Sequence, residues 1–411
     1  MGSIKVRLAL IQNEPYRLFF PLGILFALGG VGHWLFYALG WMSGYSGFLH
    51  ANIQTQLYLA CFVGGFLMTA VPRFSATWPA RGWELAGSLA LLSGMATALF
   101  FGRWVISEIL YALWLILLMR FMVVRFLKRR VQYPPVQFIW IPPAIFLGLA
   151  GALIVVLVLA GKLDPGWMQT GRAMQEQGFI LALALGVGGF LGPRLMGIHQ
   201  LPLADPQHSK AQIRKKILIH ATCAVLLIVS FFLEGSEEDI KGYALRAVIV
   251  TGMFLWTGVL NKKIFSGPSF FVRLFSSSFW MIALGYGLIP FFPKLLVALL
   301  HLVFLGGFSL MIYCVSTMVV LNHAGHGDTL NKPLWIFWLI GGGAAVSLGL
   351  RFVATFFGEQ YFLILGVSAG VWLAAAIGWF FFSVHFLPRV PGKGEPEINL
   401  PEELRKAGNA C

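Results

Sequence analysis

The sequence predicts an all-α, polytopic membrane helix bundle of about 12 transmembrane helices with both termini cytoplasmic. Three observations carry that expectation. The chain of 411 residues is 58% hydrophobic and only 11% charged, against about 45–50% and about 25% for a soluble domain. That much apolar surface exceeds what a water-soluble core can hide. The stretch from Leu18 to Pro72 contains no Asp, Glu, Lys or Arg, and a membrane helix needs roughly 20 apolar residues, so this run is two spans joined by a short loop. Finally, Lys and Arg are distributed unevenly between alternate loops. With the N-terminus inside, 23 of the 30 basic residues fall on the inner side and seven on the outer, the bias that sets membrane orientation.

Taken in order, apolar runs bounded by charges, Pro or Gly give spans at 17–41, 51–72, 84–101, 104–126, 136–160, 174–196, 216–234, 242–260, 270–290, 294–320, 333–356 and 361–386. The fourth includes Glu108 and Arg120, and Arg246 interrupts the start of the eighth. Residues 1–388 form one transmembrane domain. Residues 389–411, polar and rich in Pro and Gly, read as a flexible cytoplasmic tail. The acidic group Glu234, Glu237, Glu238 and Asp239 falls outside. The first apolar run is too long for a signal-peptide core and lacks a small-residue cleavage site, so no cleavable signal is expected.

The net charge of +14 does not indicate nucleic acid, because the basic residues lie between spans rather than on one face. Cys61, Cys223 and Cys314 fall inside spans and form no CxxC pair, so they read as small buried hydrophobes. There is no phosphate-binding Gly-Lys loop, nucleophile elbow or HExxH motif. GGFL recurs at 64–67 and 188–191, and GGFS follows at 306–309, in the second, sixth and tenth spans. The near-equal separations suggest three four-helix repeats; alternatively, glycine pairs simply allow close packing of membrane helices.

Ionisable groups inside spans are costly and are functional candidates. His33 is late in the first span, His50 opens the second, and His301 lies early in the tenth. At 1.5 Å per residue, His33 and His301 sit roughly 10–12 Å below the outer helix ends, and His50 lies near the same surface. Three imidazoles thus occupy the outer leaflet, in separations around the bundle that spacing leaves open. Imidazole suits haem iron and copper; the bland alternative is a side chain donating to a backbone carbonyl. On the inner side are His199, His208, His220, His323, His326 and His385, with His323, His326 and Asp328 the densest group. His326 and His220 are candidate metal ligands, against the alternative of a polar helix end. Asn52, Gln54, Thr55 and Gln56 must face protein, a cofactor or water. Thr69 and Pro72 mark the inner exit of the second span, where Pro is expected to stop the helix. Met68, Met311 and Met318 are soft donors suited to Cu(I), or core fillers.

These residues resemble the NnrS family, haem- and copper-containing membrane proteins of the nitric oxide response. The resemblance covers most of the chain. It rests on Pro15-Tyr16-Arg17-Leu18-Phe19-Phe20, on His50 followed by Gly65 to Pro72, on Gly188-Gly189-Phe190 through Arg194, and on His301 with Gly306-Gly307 and then Leu321-Asn322-His323-Ala324-Gly325. Departures mark a divergent branch. Asn52, Ile53 and Gln54 stand where many members have His, Glu and Met, and Met318 and His326 stand in place of two arginines. The resemblance implies haem b, with copper as a second metal, bound through His50, His301 and His323. It implies a bacterial inner-membrane protein that protects against or responds to nitric oxide and nitrosative stress, with nitric oxide as a small-molecule ligand. Removing nitric oxide catalytically would need electrons, and no quinol or cytochrome docking signature identifies a donor. The rival functions are a secondary transporter and a haem- or copper-handling assembly factor for respiratory oxidases.

Overall fold

The computed structural model describes residues 2–131, 135–198, 210–235, 239–261 and 269–389; His199, His208 and almost all of the expected tail at 389–411 lie outside them. Among the described residues thirteen helices follow one another: α1 (Gly2–Asn13), α2 (Tyr16–Ala38), α3 (Gly47–Ser75), α4 (Gly82–Phe100), α5 (Trp104–Leu127), α6 (Val136–Leu159), α7 (Trp167–Leu195), α8 (Lys210–Phe232), α9 (Asp239–Thr257), α10 (Phe270–Leu288), α11 (Pro293–His323), α12 (Trp335–Ala354) and α13 (Tyr361–Val384). No strand occurs among the described residues. Eleven of these helices are long and apolar enough to cross a membrane, so this is a multi-pass membrane protein. The other two are the short α1 and the less apolar α9. Helix α9 occupies the place of the eighth expected span, but Asp239, Lys241 and Arg246 lower its apolarity.

Arg246 is what a span can carry only with a partner. It is fully buried and donates to Glu234 at 2.6 Å and to Gln177 at 2.8 Å. Tyr243 donates to the same carboxylate at 2.5 Å, and Tyr286 to Gln177 at 3.3 Å. Glu234, expected on the outer surface, is instead 2% exposed. A charge removed from water is tolerated when paired and hydrogen-bonded, and this network ties α7, α8, α9 and α10 together.

Helices α3 and α7 are the most buried spans. Helix α2 packs on α3, α6 on α7 and α10 on α11, while α4 packs on α5, α8 on α9 and α12 on α13. Contacts of α5 with α6, α9 with α10 and α13 with α2 join these pairs, and contacts of α3 with α4, α7 with α8 and α11 with α12 close the ring. The last seam is tight because Gly366 faces Ala38, where an added Cβ would overlap the alanine methyl. Helices α3, α7 and α11 carry π-helical turns, at Ile53–Leu59, Met174–Phe179 and Ala184–Gly188, and Leu302–Ser309. Such turns are rare and concentrate at functional sites. Between these three helices lies an apolar cavity of about 100 Å³, lined among others by Phe20, Phe62, Phe66, Ile180, Phe308 and Met311.

Pro72 does not stop α3. The helix runs on to Ser75 and ends at Ala76, whose φ is +50°, with Thr77 N–H donating to the Pro72 carbonyl. Proline removes one donor without forbidding another helical turn, and the left-handed residue supplies the stop.

Helix α3 has 29 residues and spans about 40 Å, so it defines two ends of the bundle. At one, here the arginine end, Glu14 accepts from Arg17 Nε at 2.5 Å and from Arg73 at 3.2 Å, and Arg17 also donates to the Leu387 carbonyl. The start of α2, the exit of α3 and the segment after α13 therefore meet on one face, which places the two ends of the spanning domain on the same side.

Candidate functional site

The opposite end gathers histidine. Ser46 caps α3 by accepting the Leu49 N–H at 3.1 Å, which sets His50 in the first turn. Its Nδ1 lies 2.7 Å from the Gly30 carbonyl of α2, a contact that requires Nδ1 to carry the proton. Nε2 then keeps its lone pair and has no protein partner among the described residues. Three residues along α2, His33 places its ring 6.1 Å from that of His50. His33 is 6% exposed, and neither ring nitrogen meets a partner with hydrogen-bond geometry, although the backbone of Gly29, Gly30 and Ser46 is close. Trp34 packs against both imidazoles and against Tyr45.

His301 repeats the arrangement of His50 on α11, directly before the π-helical turn. Its Nδ1 lies 2.7 Å from the Val297 carbonyl, again leaving Nε2 as a free acceptor. His50 and His301 lie within electrostatic reach of each other, and both within reach of Arg351 on α12. Arg351 is 5% exposed. It faces the Tyr361 ring at 5.7 Å and has no carboxylate partner among the described residues. The structure thus brings together His33, His50 and His301, which spacing alone left scattered around one leaflet. It adds Arg351, whose only signal in the sequence was a cation near the end of an apolar run.

The remaining predicted residues lie elsewhere. His323 ends α11 at the arginine end. Its Nδ1 is 3.4 Å from Glu14 and its ring packs edgewise on Tyr16 at 5.0 Å, so it shares no site with His50. Glu14, between α1 and α2, would be raised by burial alone. The close approach of His323 and the charges of Arg17 and Arg73 outweigh this and hold it at about 2. His326 has Nε2 at 2.7 Å from Arg389. His220 accepts from Trp140 Nε1 at 2.9 Å through Nδ1 and packs on Trp256. No group of three or more His, Cys, Asp and Glu converges to hold a metal ion among the described residues. Met311 lines the central cavity, and Met68 receives a long contact of 4.0 Å from Ser88 Oγ. A surface hollow beside Gln12, Trp78 and Arg81 lies at the arginine end, away from His33, His50 and His301.

The chemistry available at the histidine end is that of imidazole donors. A ligating histidine commonly gives its other ring N–H to a backbone carbonyl, which fixes tautomer and ring orientation. His50 and His301 both have that anchor. Two such donors beside a buried cation fall short of the three or four converging ligands that a compact tetrahedral ion requires, and would suit an anionic cofactor better.

No curated protein matches the chain. The sequence profile of one family, described as NnrS protein, matches residues 11–390, nearly the full length and every spanning helix. The matched region contains all of the histidines discussed above, so the chain belongs to the NnrS family, a family of membrane proteins of the nitric oxide response.

Proposed function

We propose that this protein binds haem b at its histidine end, in a bacterial inner membrane, and protects against or senses nitric oxide. One observation carries the reading: among the described residues His50 and His301, on different helices, each have Nδ1 tied to a carbonyl and Nε2 free, beside a buried Arg351 without a carboxylate. His50 and His301 would hold the iron, and His33, with Trp34, would pack against the cofactor. Arg351 would pair with a propionate, the strong charge-assisted contact for which guanidinium is suited. Haem iron, when bound, supplies a direct site for nitric oxide. The apolar cavity between α3, α7 and α11 supports the same reading, since dry apolar cavities accept small apolar guests. The residues do not fit a closed copper site, because no three donors converge among those described, and copper is assigned no ligands here.

The three-unit organisation belongs to this proposal. It is supported by the order of packing around the ring and by the placement of π-helical turns in α3, α7 and α11. The excess of Lys and Arg at the arginine end supports a cytoplasmic position for that end, leaving the histidines in the outer leaflet, where a lipid-soluble gas arrives from outside.

The test is to purify the protein in mild detergent and record oxidised and reduced absorption spectra with metal analysis on the same sample. A stoichiometric Soret band that shifts with nitric oxide, and that is lost or shifted in His301→Ala and His50→Ala, is expected. A colourless, metal-free yet folded protein from haem-replete cells would overturn the reading and favour transport. A wild-type spectrum in both variants would remove these histidines as ligands.

A further inference from the structure

Four carboxyl side chains are buried among the described residues: Glu14, Glu84, Glu108 and Glu234. Three have an arginine. Glu14 has Arg17 and Arg73, Glu84 has Arg125 at 2.8 Å, and Glu234 has Arg246 at 2.6 Å. Glu108, four residues into α5 and 1% exposed, has no cationic partner within 4.0 Å among the described residues.

Its surroundings are neutral and polar. Gln175 of α7 donates to Glu108 Oε2 at 2.9 Å. Gln56, from the π-helical turn of α3, is within hydrogen-bonding reach of the carboxyl. The Gln56 amide oxygen accepts from Ser107 Oγ at 2.5 Å, and its NH₂ donates to Asn52 Oδ1 at 3.3 Å. One turn along α5, the buried Tyr111 hydroxyl has no partner among the described residues, nor has the Asn52 Nδ2 group. The charged groups within electrostatic reach are Arg172 and Glu176 of α7, which pair with each other at 2.8 Å and so cancel. The Glu176 side chain is 20% exposed.

An ionised carboxylate here would be a buried charge without a counter-ion, the costliest state for such a group, whereas the neutral acid needs only one acceptor for its O–H. A metal cation is a poor occupant, because hard cations demand several oxygen ligands. The Gln56 oxygen is engaged by Ser107, the Asn52 oxygen by Gln56, and Gln175 presents its N–H. We propose that Glu108 is a proton-binding site, a membrane-buried carboxylic acid that is neutral at pH 7 and exchanges its proton with the histidine end of the bundle by way of Glu176. In each exchange one O–H bond forms or breaks at Glu108, a proton moves to or from water beside Glu176, and no electron is transferred. The site needs no cofactor and stands independently of the haem reading.

Infrared difference spectroscopy on the full chain in detergent tests it, with pH steps and transfer to D₂O. The expected result is a protonated-carboxyl C=O stretch at neutral pH that moves down in D₂O, vanishes in Glu108→Gln and reappears at a shifted frequency in Glu108→Asp. Glu176→Gln should slow the deuterium shift severalfold. If neutral-pH protein shows no protonated carboxyl, or Glu108→Gln keeps the wild-type band, the site is overturned. If Glu108→Gln does not fold, a wild-type band unchanged in Glu108→Asp overturns it equally. An unchanged exchange rate in Glu176→Gln overturns the route.

Discussion

Arg125 and Arg351 are both buried arginines on spanning helices, and they sit in opposite kinds of surroundings. Arg125, at the arginine end, is fully enclosed. Its guanidinium bridges both oxygens of Glu84 at 3.0 and 2.8 Å, donates to the carbonyls of Trp78, Pro79 and Phe121, and stacks 3.4 Å above the Phe121 ring. Its charge is neutralised and its donors are occupied. Arg351 has an aromatic neighbour, two imidazoles within electrostatic reach and no carboxylate among the described residues. The first arginine is finished by the protein itself; the second leaves positive potential beside two free Nε2 atoms. Polarity in a membrane protein therefore divides into groups that complete each other and groups that await something from outside the chain.

The sharpest break of that comparison is to remove a partner. Glu84→Ala leaves Arg125 buried and unpaired, and should cost about 3–5 kcal/mol of stability, measured by thermal unfolding in detergent. Next, Arg351→Leu should leave the unfolding midpoint unchanged or raised while weakening haem retention about ten- to a hundredfold, the worth of a hydrogen bond between charged groups. Competition with a haem-scavenging apoprotein reads the retention. A loss of stability as large as that of Glu84→Ala would make Arg351 structural and erase the contrast. Smaller is Gly366→Leu, which drives α13 off α2 beside the histidines and should cost about 1–3 kcal/mol by overpacking, with a broadened Soret band as its second readout.

The smallest effect under ordinary conditions comes from pH at the arginine end. Glu14 is held at about 2, below its ordinary 4.5. The unfolded chain therefore binds a proton more readily, and the stability from this cluster is complete above 4.5 and lost as pH falls through about 2. Glu14→Gln should flatten the acid limb of the stability curve and leave the neutral-pH spectrum alone. A spectral change would place His323 in the same site as His50 after all.

Much of this was legible in advance. Charge-free runs located the spans, since lipid tolerates no unpaired polar backbone and few charges. The eighth span was the least visible because Arg246 interrupts it, and the compensating Glu234 lies in a preceding loop that reads as surface. Pro72 misled locally, because a missing N–H is one bond in a long helix. His33, His50 and His301 could be assigned a depth from rise per residue, and His50 and His301 could be given donors, yet nothing in their spacing specified which helices are neighbours. His323 carried as strong a motif as His301 and lies 22 residues further along α11, about 33 Å away at the other end of the bundle.

Sequence by itself determined the solvent, the rough limits of eleven spanning helices, the family, and the depth of His33, His50 and His301, because these depend on hydropathy and distance along one helix. Tertiary structure alone decided which charges cancel. The closure of α13 on α2, the pairing of Arg246 with Glu234, the isolation of Glu108 and the meeting of His50, His301 and Arg351 depend on lateral packing. In a bilayer every helix is apolar enough to lie beside any other, so the choice is made by glycine contacts and hydrogen-bond partners drawn from distant parts of the chain.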